Sequence, residues 1–281
     1  MPAVVVGVDG SDSSAQAAEW AAAEADRRHV PLHVVLANDD PARAEHAEDA
    51  VGRTAAKCRT DHPGLEVTAE VLTGRPVEVL VDRSSAADLL VVGARGLGGF
   101  TRALLGGVSL GVASRASCPV VVVRRGAPTD AGPVVVGVDG SPCARSALEF
   151  AFSAAAQLGA DLVVLQAWHE ENLLYTPLSP NFRDEVDDTV RRILSRETAD
   201  LRQAHPDVVV HEVAQRGHPV AALTDAARDA RLLVVGHRGG GGFDGLFLGS
   251  VAAGVLNHAQ CPVAVIRNAQ PTQHEEGTGP G

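Results

Sequence analysis

The residues best suited to chemistry lie in two glycine-rich segments that each carry an arginine and end where a helix is predicted to begin. Residues 236–239 read GHRG and are followed by nine residues and Gly249-Ser250, while residues 93–96 read GARG and are followed by nine residues and Gly106-Gly107. Glycines let a backbone approach a ligand closely, and successive N–H groups can surround an anion. A helix N-terminus favours negative charge, and arginine forms charge-assisted hydrogen bonds to phosphate oxygens. The two segments therefore predict phosphate binding.

The composition of the 281-residue chain argues against several other classes of function. A formal net charge of −11 argues against general binding of nucleic-acid backbones or anionic membranes. The single lysine, Lys57, has no glycine-rich turn beside it, which excludes a P-loop. No segment reaches the ~18–20 apolar residues of a membrane span, the N-terminus lacks a signal-peptide pattern, and the four cysteines have no close pairing. These features predict a cytoplasmic protein, and the scattered histidines predict no metal site.

An internal duplication organises the chain. Residues 3–11 and 133–141 are identical at eight of nine positions, and residues 89–96 and 232–239 are identical at seven of eight. The offset between the copies grows from 130 to 143 residues, so the second copy has 13 extra residues, which we place at Asn172–Phe182. The sequence thus predicts a first domain at residues 1–125, a linker at 126–132, a second domain at 133–268 and a disordered tail at 269–281.

Each copy alternates apolar strands with helices. In the first copy we predict strands at Val4–Val8, Leu32–Ala37, Leu65–Leu72, Leu89–Gly93 and Val120–Arg124, and helices from Ser11–Ser14 to about Arg28, at about Arg43–Thr60, from Pro76, and at about Val108–Arg115. This alternation indicates a parallel sheet with helices on both faces. In such sheets, ligands bind beyond the carboxyl ends of the strands, where the winding direction reverses. If the strand order is 3-2-1-4-5, the segments after strands 1 and 4 converge there.

The order of these motifs resembles the ATP-binding branch of the universal stress protein family. The resemblance rests on Gly-x2-Gly-x9-Gly-Ser downstream of Val-Val-Gly-Val-Asp-Gly-Ser and covers residues 1–125 and 131–268. It implies an α/β fold of two tandem Rossmann-like, adenine-nucleotide-binding domains. Each would be a five-stranded parallel sheet of order 3-2-1-4-5, packed through strand 5 within a pseudo-dimeric monomer or in a homodimer. It implies ATP as the ligand, which can carry Mg²⁺, and a stress-response sensor with at most slow hydrolysis.

The resemblance also implies which residues bind the nucleotide. The glycine-rich loops and the helix starts after them would hold the phosphates, the segment after strand 1 would meet the adenosine end with Gly137 giving room, and the backbone near Ala167 would meet the adenine edge. The candidates in the first copy are Gly7, Asp9, Gly10, Ser11, Ala37, Gly93, Ala94, Arg95, Gly96, Leu97, Gly98, Gly99, Gly106, Gly107, Val108 and Ser109. Those in the second copy are Gly137, Asp139, Gly140, Ser141, Ala167, Gly236, His237, Arg238, Gly239, Gly240, Gly241, Gly242, Gly249, Ser250, Val251 and Ala252. An alternative for Asp139 is a turn-forming role in which its carboxylate binds local amides.

The first copy departs from the family pattern at Gly107, which stands where the family has Ser or Thr. A hydrogen bond to a charged group contributes about 1.5–3 kcal/mol, which corresponds to about 10–100-fold in affinity. Ser109, two residues on, is a candidate for partial compensation. We therefore expect both copies to bind ATP and the second copy to bind it more tightly.

Other interpretations of the same residues remain open at this stage. Gly107–Gly111 matches the G-x-S-x-G pattern of hydrolases but has no strand directly before the serine, and Gly240–Gly245 matches a dinucleotide fingerprint but follows the fourth strand instead of the first. Related ATP-hydrolysing enzymes, such as the ATP pyrophosphatases, carry a Ser-Gly-Gly-x-Asp-Ser loop that residues 8–11 do not match. A scaffold or chaperone-like protein without nucleotide is a third class. For Trp20, Trp168, Cys118 and Cys261, core packing is the favoured role.

Overall fold

The computed structural model describes residues 3–96, 105–124, 131–168, 182–240 and 248–268, and the same succession of elements occurs twice. The first repeat comprises β1 (Val4–Gly7), α1 (Asp12–Arg28), β2 (Leu32–Asn38), a 3-10 turn (Pro41–Arg43), α2 (Ala44–Asp61), β3 (Val67–Thr73), α3 (Pro76–Ser84), β4 (Leu89–Gly93), α4 (Gly107–Arg115) and β5 (Val120–Val123). The second comprises β6 (Val134–Gly137), α5 (Pro142–Leu158), β7 (Leu162–Trp168), α6 (Phe182–Ala204), β8 (Val210–Arg216), α7 (Pro219–Ala226), β9 (Leu232–Gly236), α8 (Ser250–His258) and β10 (Val263–Ile266).

All ten of these strands belong to one sheet, in the order β3-β2-β1-β4-β5-β10-β9-β6-β7-β8. Neighbouring strands are parallel within each repeat, as in the pairing of Val4 with Leu89 between β1 and β4. The repeats meet at an antiparallel pair between β5 and β10, with Val120 opposite Val265. The predicted order 3-2-1-4-5 is confirmed in both repeats, and strand 5 joins them within a single chain.

Local sequence explains where the helices after the first strands begin and end. The Ser11 side chain accepts a hydrogen bond from the Ser14 N–H at the start of α1, and Ser141 does the same for Ala144 at the start of α5. The corresponding C-caps, His29 and Gly159, have φ values of 54° and 57°, in the left-handed region that ends a helix. The predicted boundaries of α1 are confirmed, and those of the other first-repeat elements differ by about two residues or fewer.

The core has two layers, one on each face of the sheet. The strands are buried on both sides, so β4 and β5 read as continuous apolar runs. Trp168 is 8% exposed and its indole N–H donates to Asp187 Oδ1 at 2.7 Å, which confirms its packing role. Cys118 and Cys261 are buried in the layer beside strand 5, as expected.

The second repeat differs from the first mainly at its second helix. This helix has 23 residues in the second repeat and 18 in the first. Residues 172–181, where the sequence places most of the insertion, lie outside the described residues. In the segments that the structure describes, no helix has both the length and the apolar character needed to cross a membrane.

The two buried cysteines predict a loss of stability at alkaline pH. Burial raises the pKa of Cys118 to about 12 and that of Cys261 to about 11. Above pH ~9 an unfolded chain releases these protons while the folded chain keeps them, so the free energy of unfolding falls by up to about 1.4 kcal/mol per pH unit for each thiol. We expect urea unfolding to show this fall between pH 9 and pH 11. In a Cys118→Ala, Cys261→Ala variant the free energy of unfolding should fall less steeply with pH. An unchanged slope would contradict the raised pKa values of these two thiols.

Candidate functional site

A cleft of about 400 Å³ opens in the first repeat at the carboxyl ends of β1 and β4. The chain winds away in opposite directions from these two neighbouring strands, so the cleft lies at the switch point of the sheet. We call it the first-repeat cleft. Of the predicted residues, the structure brings together along its wall Gly7, Asp9, Ala37, Gly93, Arg95, Gly96, Gly106, Gly107, Val108 and Ser109.

Sequence reasoning missed the apolar part of this wall. It is formed by Val8 directly after β1, Val35 of β2, Val92 of β4, Pro76 and Leu80 of α3, and Leu105 before α4, with Ser14 at the start of α1. The signal was present in α3, where Pro76 begins the helix and Leu80 follows one turn later. That spacing points both residues toward one face of the helix. An apolar wall with a few polar groups is typical of a small-molecule site.

The start of α4 supplies backbone N–H groups to one end of the cleft. Its N-cap, Gly106, has no side-chain cap, and the first bond within the helix runs from the Leu110 N–H to the Gly106 carbonyl. The amides of Gly107 and Val108 precede that bond, so no carbonyl of the helix accepts from them. The loop is fixed by a bond of 2.9 Å from the Gly106 N–H to the Ala94 carbonyl. Amides at a helix start of this kind suit an anionic ligand.

The second repeat builds the same helix start. The Gly249 N–H donates to the His237 carbonyl at 2.9 Å, and the Ala253 N–H donates to the Gly249 carbonyl at 2.9 Å. The amides of Ser250, Val251 and Ala252 therefore precede the first bond of α8, which also lacks a side-chain cap. Ser250 is exposed at this end, Val251 is half-buried and Ala252 is buried. The arrangement can bind an anion in the same way as the first repeat.

Arginines add positive charge at this end of each repeat. Arg95 is an exposed residue of the first-repeat cleft. Burial lowers the pKa of Arg124, directly after β5, and the charge of Arg95 lowers it further. In the second repeat, burial and the charge of Arg238 lower the pKa of Arg267 in the same way. Sequence reasoning missed Arg124 and Arg267, although an arginine follows the fifth strand in both repeats. The positive charge of Arg95 suits an anionic ligand in the first-repeat cleft, whereas Arg124 and Arg267 donate to carbonyls of the opposite repeat.

Asp139, the aspartate after the first strand of the second repeat, accepts hydrogen bonds from two different loops. Asp139 Oδ1 accepts from the Ser141 N–H at 3.1 Å, and its Oδ2 accepts from the Gly240 N–H at 3.0 Å. In the first repeat, Asp9 Oδ1 accepts from the Ser11 N–H at 3.0 Å. The turn-forming alternative therefore describes part of the role of Asp139, and the second bond links its turn to the glycine-rich loop. Gly10 and Gly140 have φ values of 84° and 76°, which the turn requires.

Asp9 requires a glycine at position 96, and Asp139 requires one at position 239. A Cβ added to Gly239 would collide with Oδ2 of Asp139, and a Cβ added to Gly96 would collide with Oδ2 of Asp9. The absence of a side chain lets the glycine-rich loop lie against the carboxylate. The spacing of the motif is thus explained by contact between the two loops that border the site.

Within the described residues, the backbone N–H and C=O of Ala37 and Ala167 have no partner in the neighbouring first strand of their repeat. The Val8 N–H donates to the Val35 carbonyl at 2.9 Å, and the Val138 N–H donates to the Leu165 carbonyl at 3.0 Å. Backbone groups of alternate residues in a strand point to the same side. Ala37 follows Val35 by two residues, and Ala167 follows Leu165 by two. The backbone groups of Ala37 and Ala167 therefore point to the same side, past the ends of β1 and β6. Each offers one N–H donor and one C=O acceptor side by side.

Several predicted glycines serve packing. A Cβ on Gly137 would lie 2.9 Å from Cδ1 of Leu223, so the absence of a side chain there makes room for α7. A Cβ on Gly7 would similarly lie 2.7 Å from Cδ1 of Leu80. Gly93 and Gly236 allow the start of α1 or α5 to pack on the strand end, since a Cβ would lie 2.7 Å from the Ser13 carbonyl oxygen or 2.9 Å from the carbonyl carbon of Cys143. These glycines let neighbouring helices pack closely against the strand ends that border the site.

Two predicted side chains have other partners. The Ser109 hydroxyl donates its only hydrogen to the Gly93 carbonyl at 2.6 Å and is 3% exposed, so it does not replace the donor missing at Gly107. The same bond argues against Ser109 as a hydrolase nucleophile. His237 is 3% exposed, and its Nε2 lies 3.2 Å from the Ser114 carbonyl of the first repeat and 3.0 Å from Nη2 of Arg267. Its ring faces the junction between the repeats, and only its backbone belongs to the predicted phosphate loop.

The remaining predicted residues have structural positions or lie outside the structure's range. Ala94 is buried, and Ser11 and Ser141 cap the helices that follow them. Five predicted loop residues lie outside the described residues: Leu97, Gly98, Gly99, Gly241 and Gly242. Over the residues that are described, no group of three or more His, Cys, Asp and Glu side chains is arranged to hold a metal ion.

Comparison with known proteins gives consistent matches over nearly the whole chain. The model of the universal stress protein family matches residues 1–124 and 131–267. A universal stress protein of Mycolicibacterium smegmatis (strain ATCC 700084 / mc(2)155) is 35% identical over 285 residues, covering 94% of this chain and 96% of that protein. One of Mycobacterium tuberculosis (strain ATCC 25618 / H37Rv) is 35% identical over 302 residues, covering 95% of each. The crystal structure of a universal stress protein from Archaeoglobus fulgidus DSM 4304 has the same fold, with a TM-score of 0.69, 22% identity and coverage of 94% and 96%.

Proposed function

The chain belongs to the universal stress protein family, and we propose that it binds ATP in each repeat as a nucleotide-dependent sensor of the stress response. One observation carries the proposal. In the first-repeat cleft, free backbone groups of β2 lie at one end and the open start of α4 with Arg95 lies at the other. The first end suits the base of a nucleotide and the second end suits its phosphates. The apolar wall between them suits the remainder of the nucleoside.

The backbone of Ala37 or Ala167 favours adenine among the bases. An N–H and a C=O on the same strand edge complement the ring nitrogen acceptor and amino donor of adenine. Guanine presents an acceptor and a donor in the reverse positions, so its binding would leave two backbone groups without partners. Each such group costs about 1–3 kcal/mol, which corresponds to more than about tenfold in affinity for the pair.

The other end of the site holds the phosphates. The amides at the starts of α4 and α8 donate to phosphate oxygens, and the charges of Arg95 and Arg238 strengthen the attraction. We assign any Mg²⁺ to the phosphates that carry it into the site. The protein would act in the cytoplasm, where ATP is abundant, and would hydrolyse ATP slowly at most.

Release of nucleotide from the purified chain tests the proposal directly. We expect heat denaturation to liberate adenine nucleotide that chromatography identifies, and calorimetric titration of nucleotide-free chain to show ATP binding at least about tenfold tighter than GTP binding. Equal affinity for GTP would contradict adenine recognition by Ala37 and Ala167. Rapid turnover of added ATP would favour an enzyme over a sensor, and no binding of any nucleotide would favour a scaffold.

A further inference from the structure

A residue of the second repeat contacts the wall of the first-repeat cleft. The Leu105 N–H donates to Oδ1 of Asn257 at 3.2 Å. Leu105 lines the cleft and directly precedes Gly106, the N-cap of α4. Asn257 lies near the end of α8, 152 residues further along the chain. The bond therefore joins the start of the first phosphate-binding helix to the opposite repeat.

Asn257 is held in the orientation that this bond requires. Its Nδ2 donates to the Ala253 carbonyl of the same helix at 2.9 Å, which directs Oδ1 away from that carbonyl and toward Leu105. The neighbouring Leu256 is fully buried, and its carbonyl accepts a hydrogen bond from Nη2 of Arg124 of the first repeat. The end of α8 is thus attached to the first repeat at two adjacent residues. Such a support fixes the backbone that it contacts.

The side chain at the equivalent position in the first repeat has a different partner among the described residues. The offset of 143 residues relates Asn257 to Ser114 on α4. The Ser114 hydroxyl donates to the Leu110 carbonyl of its own helix at 2.7 Å. The two repeats therefore support their helix starts differently, and Ser114 offers a matched control.

We propose that Asn257 is a positioning residue of the first-repeat nucleotide site, which is complete only when the second repeat is docked. This inference rests on the proposed function. Asn257 touches no ligand. It holds the Leu105 amide and so orders the first residues of α4, whose N–H groups bind phosphate. A site ordered before binding loses less conformational freedom when the ligand arrives, which strengthens affinity.

Variants of Asn257 in the full-length chain test the proposal. Asn257→Leu removes the acceptor at similar size, Asn257→Asp keeps an acceptor oxygen, and Ser114→Ala is the matched control. Gly239→Val isolates the first site for calorimetry and Gly96→Val isolates the second. We expect Asn257→Leu to weaken ATP binding at the first site by about three- to tenfold, as expected for the loss of one hydrogen bond. Asn257→Asp should recover part of the loss, because it keeps the acceptor for the Leu105 amide but loses the donor to the Ala253 carbonyl, and Ser114→Ala should change neither site.

Amide hydrogen exchange provides a second measurement that does not depend on affinity. Exchange of the segment 105–110 in the ligand-free chain should be faster in Asn257→Leu than in the parent. Equal ATP affinity and equal exchange in parent and variant would overturn the inference alone, and so would an equal loss of affinity at both sites. A parent chain that binds no nucleotide would overturn the proposed function and this inference with it.

Discussion

Substitution of Gly239 and Gly249 by valine should weaken ATP binding at the second repeat by more than about 100-fold. A Cβ at Gly239 collides with Oδ2 of Asp139, and a Cβ at Gly249 would lie 3.2 Å from the His237 carbonyl oxygen. The Asp139 carboxylate is short and is held by the Ser141 and Gly240 amides, so the glycine-rich loop must move instead. Phosphate then loses at least two charge-assisted bonds of about 1.5–3 kcal/mol each. Calorimetric titration of the double variant, in a chain whose first site is blocked by Gly96→Val, measures the loss.

A matched control separates this effect from the cost of adding two valines. Gly52 lies on α2, and a Cβ there would meet no atom within 4 Å. Gly52→Val should therefore leave ATP binding at the parent level. Circular dichroism and thermal melting establish that the double variant folds, and Gly239→Ala gives a milder test if it does not. A folded double variant that binds ATP as tightly as the parent would contradict phosphate binding by this loop.

Exchange of the residues at the first position of α4 and α8 should reverse the difference between the two sites. In the parent we expect the second repeat to bind ATP about 10–100-fold more tightly, because Ser250 offers a hydroxyl where Gly107 has none. A Cβ on Gly107 would meet no atom within 4 Å, so Gly107→Ser adds the hydroxyl without a collision. This variant should tighten the first site by about tenfold or more, and Ser250→Gly should weaken the second by a similar factor. Two-site calorimetry measures both changes.

Gly107→Ala distinguishes the hydroxyl from the effect of a side chain on the helix. Alanine favours a helix over glycine by about 1 kcal/mol but offers no hydrogen bond. A gain with serine well above that with alanine would support the role of the hydroxyl. Equal gains would assign the effect to helix formation. Tighter binding by the first repeat of the parent would contradict the predicted order of affinities, since Ser109 has given its hydrogen to Gly93.

The sequence predicts most of the fold because strand burial and helix capping are properties of short segments. Val4–Gly7 and Leu89–Gly93 are apolar runs of the length that a buried parallel strand needs. Ser11 defines the start of α1 through a bond three residues away. The duplication then predicts the second repeat from the first. Placement of both loops at the switch point follows in turn, because the carboxyl ends of neighbouring parallel strands share one edge of the sheet.

The partners of individual side chains could not be predicted in the same way. The sequence makes Ser109 a candidate for ligand contact, yet its hydroxyl bonds to the carbonyl of Gly93, 16 residues away. His237 belongs to the phosphate loop by position, yet its ring lies against Ser114, 123 residues away. A motif specifies backbone spacing, whereas the direction and partners of a side chain depend on packing among distant segments.

The duplicated glycines and the strands before them suffice to predict two similar sites. The different partners of Asn257 and Ser114 become visible only when the two repeats are docked. The antiparallel pairing of β5 with β10 brings α8 beside the start of α4, where Asn257 meets Leu105. No local pattern relates these two residues, because their contact depends on how two separately encoded repeats dock.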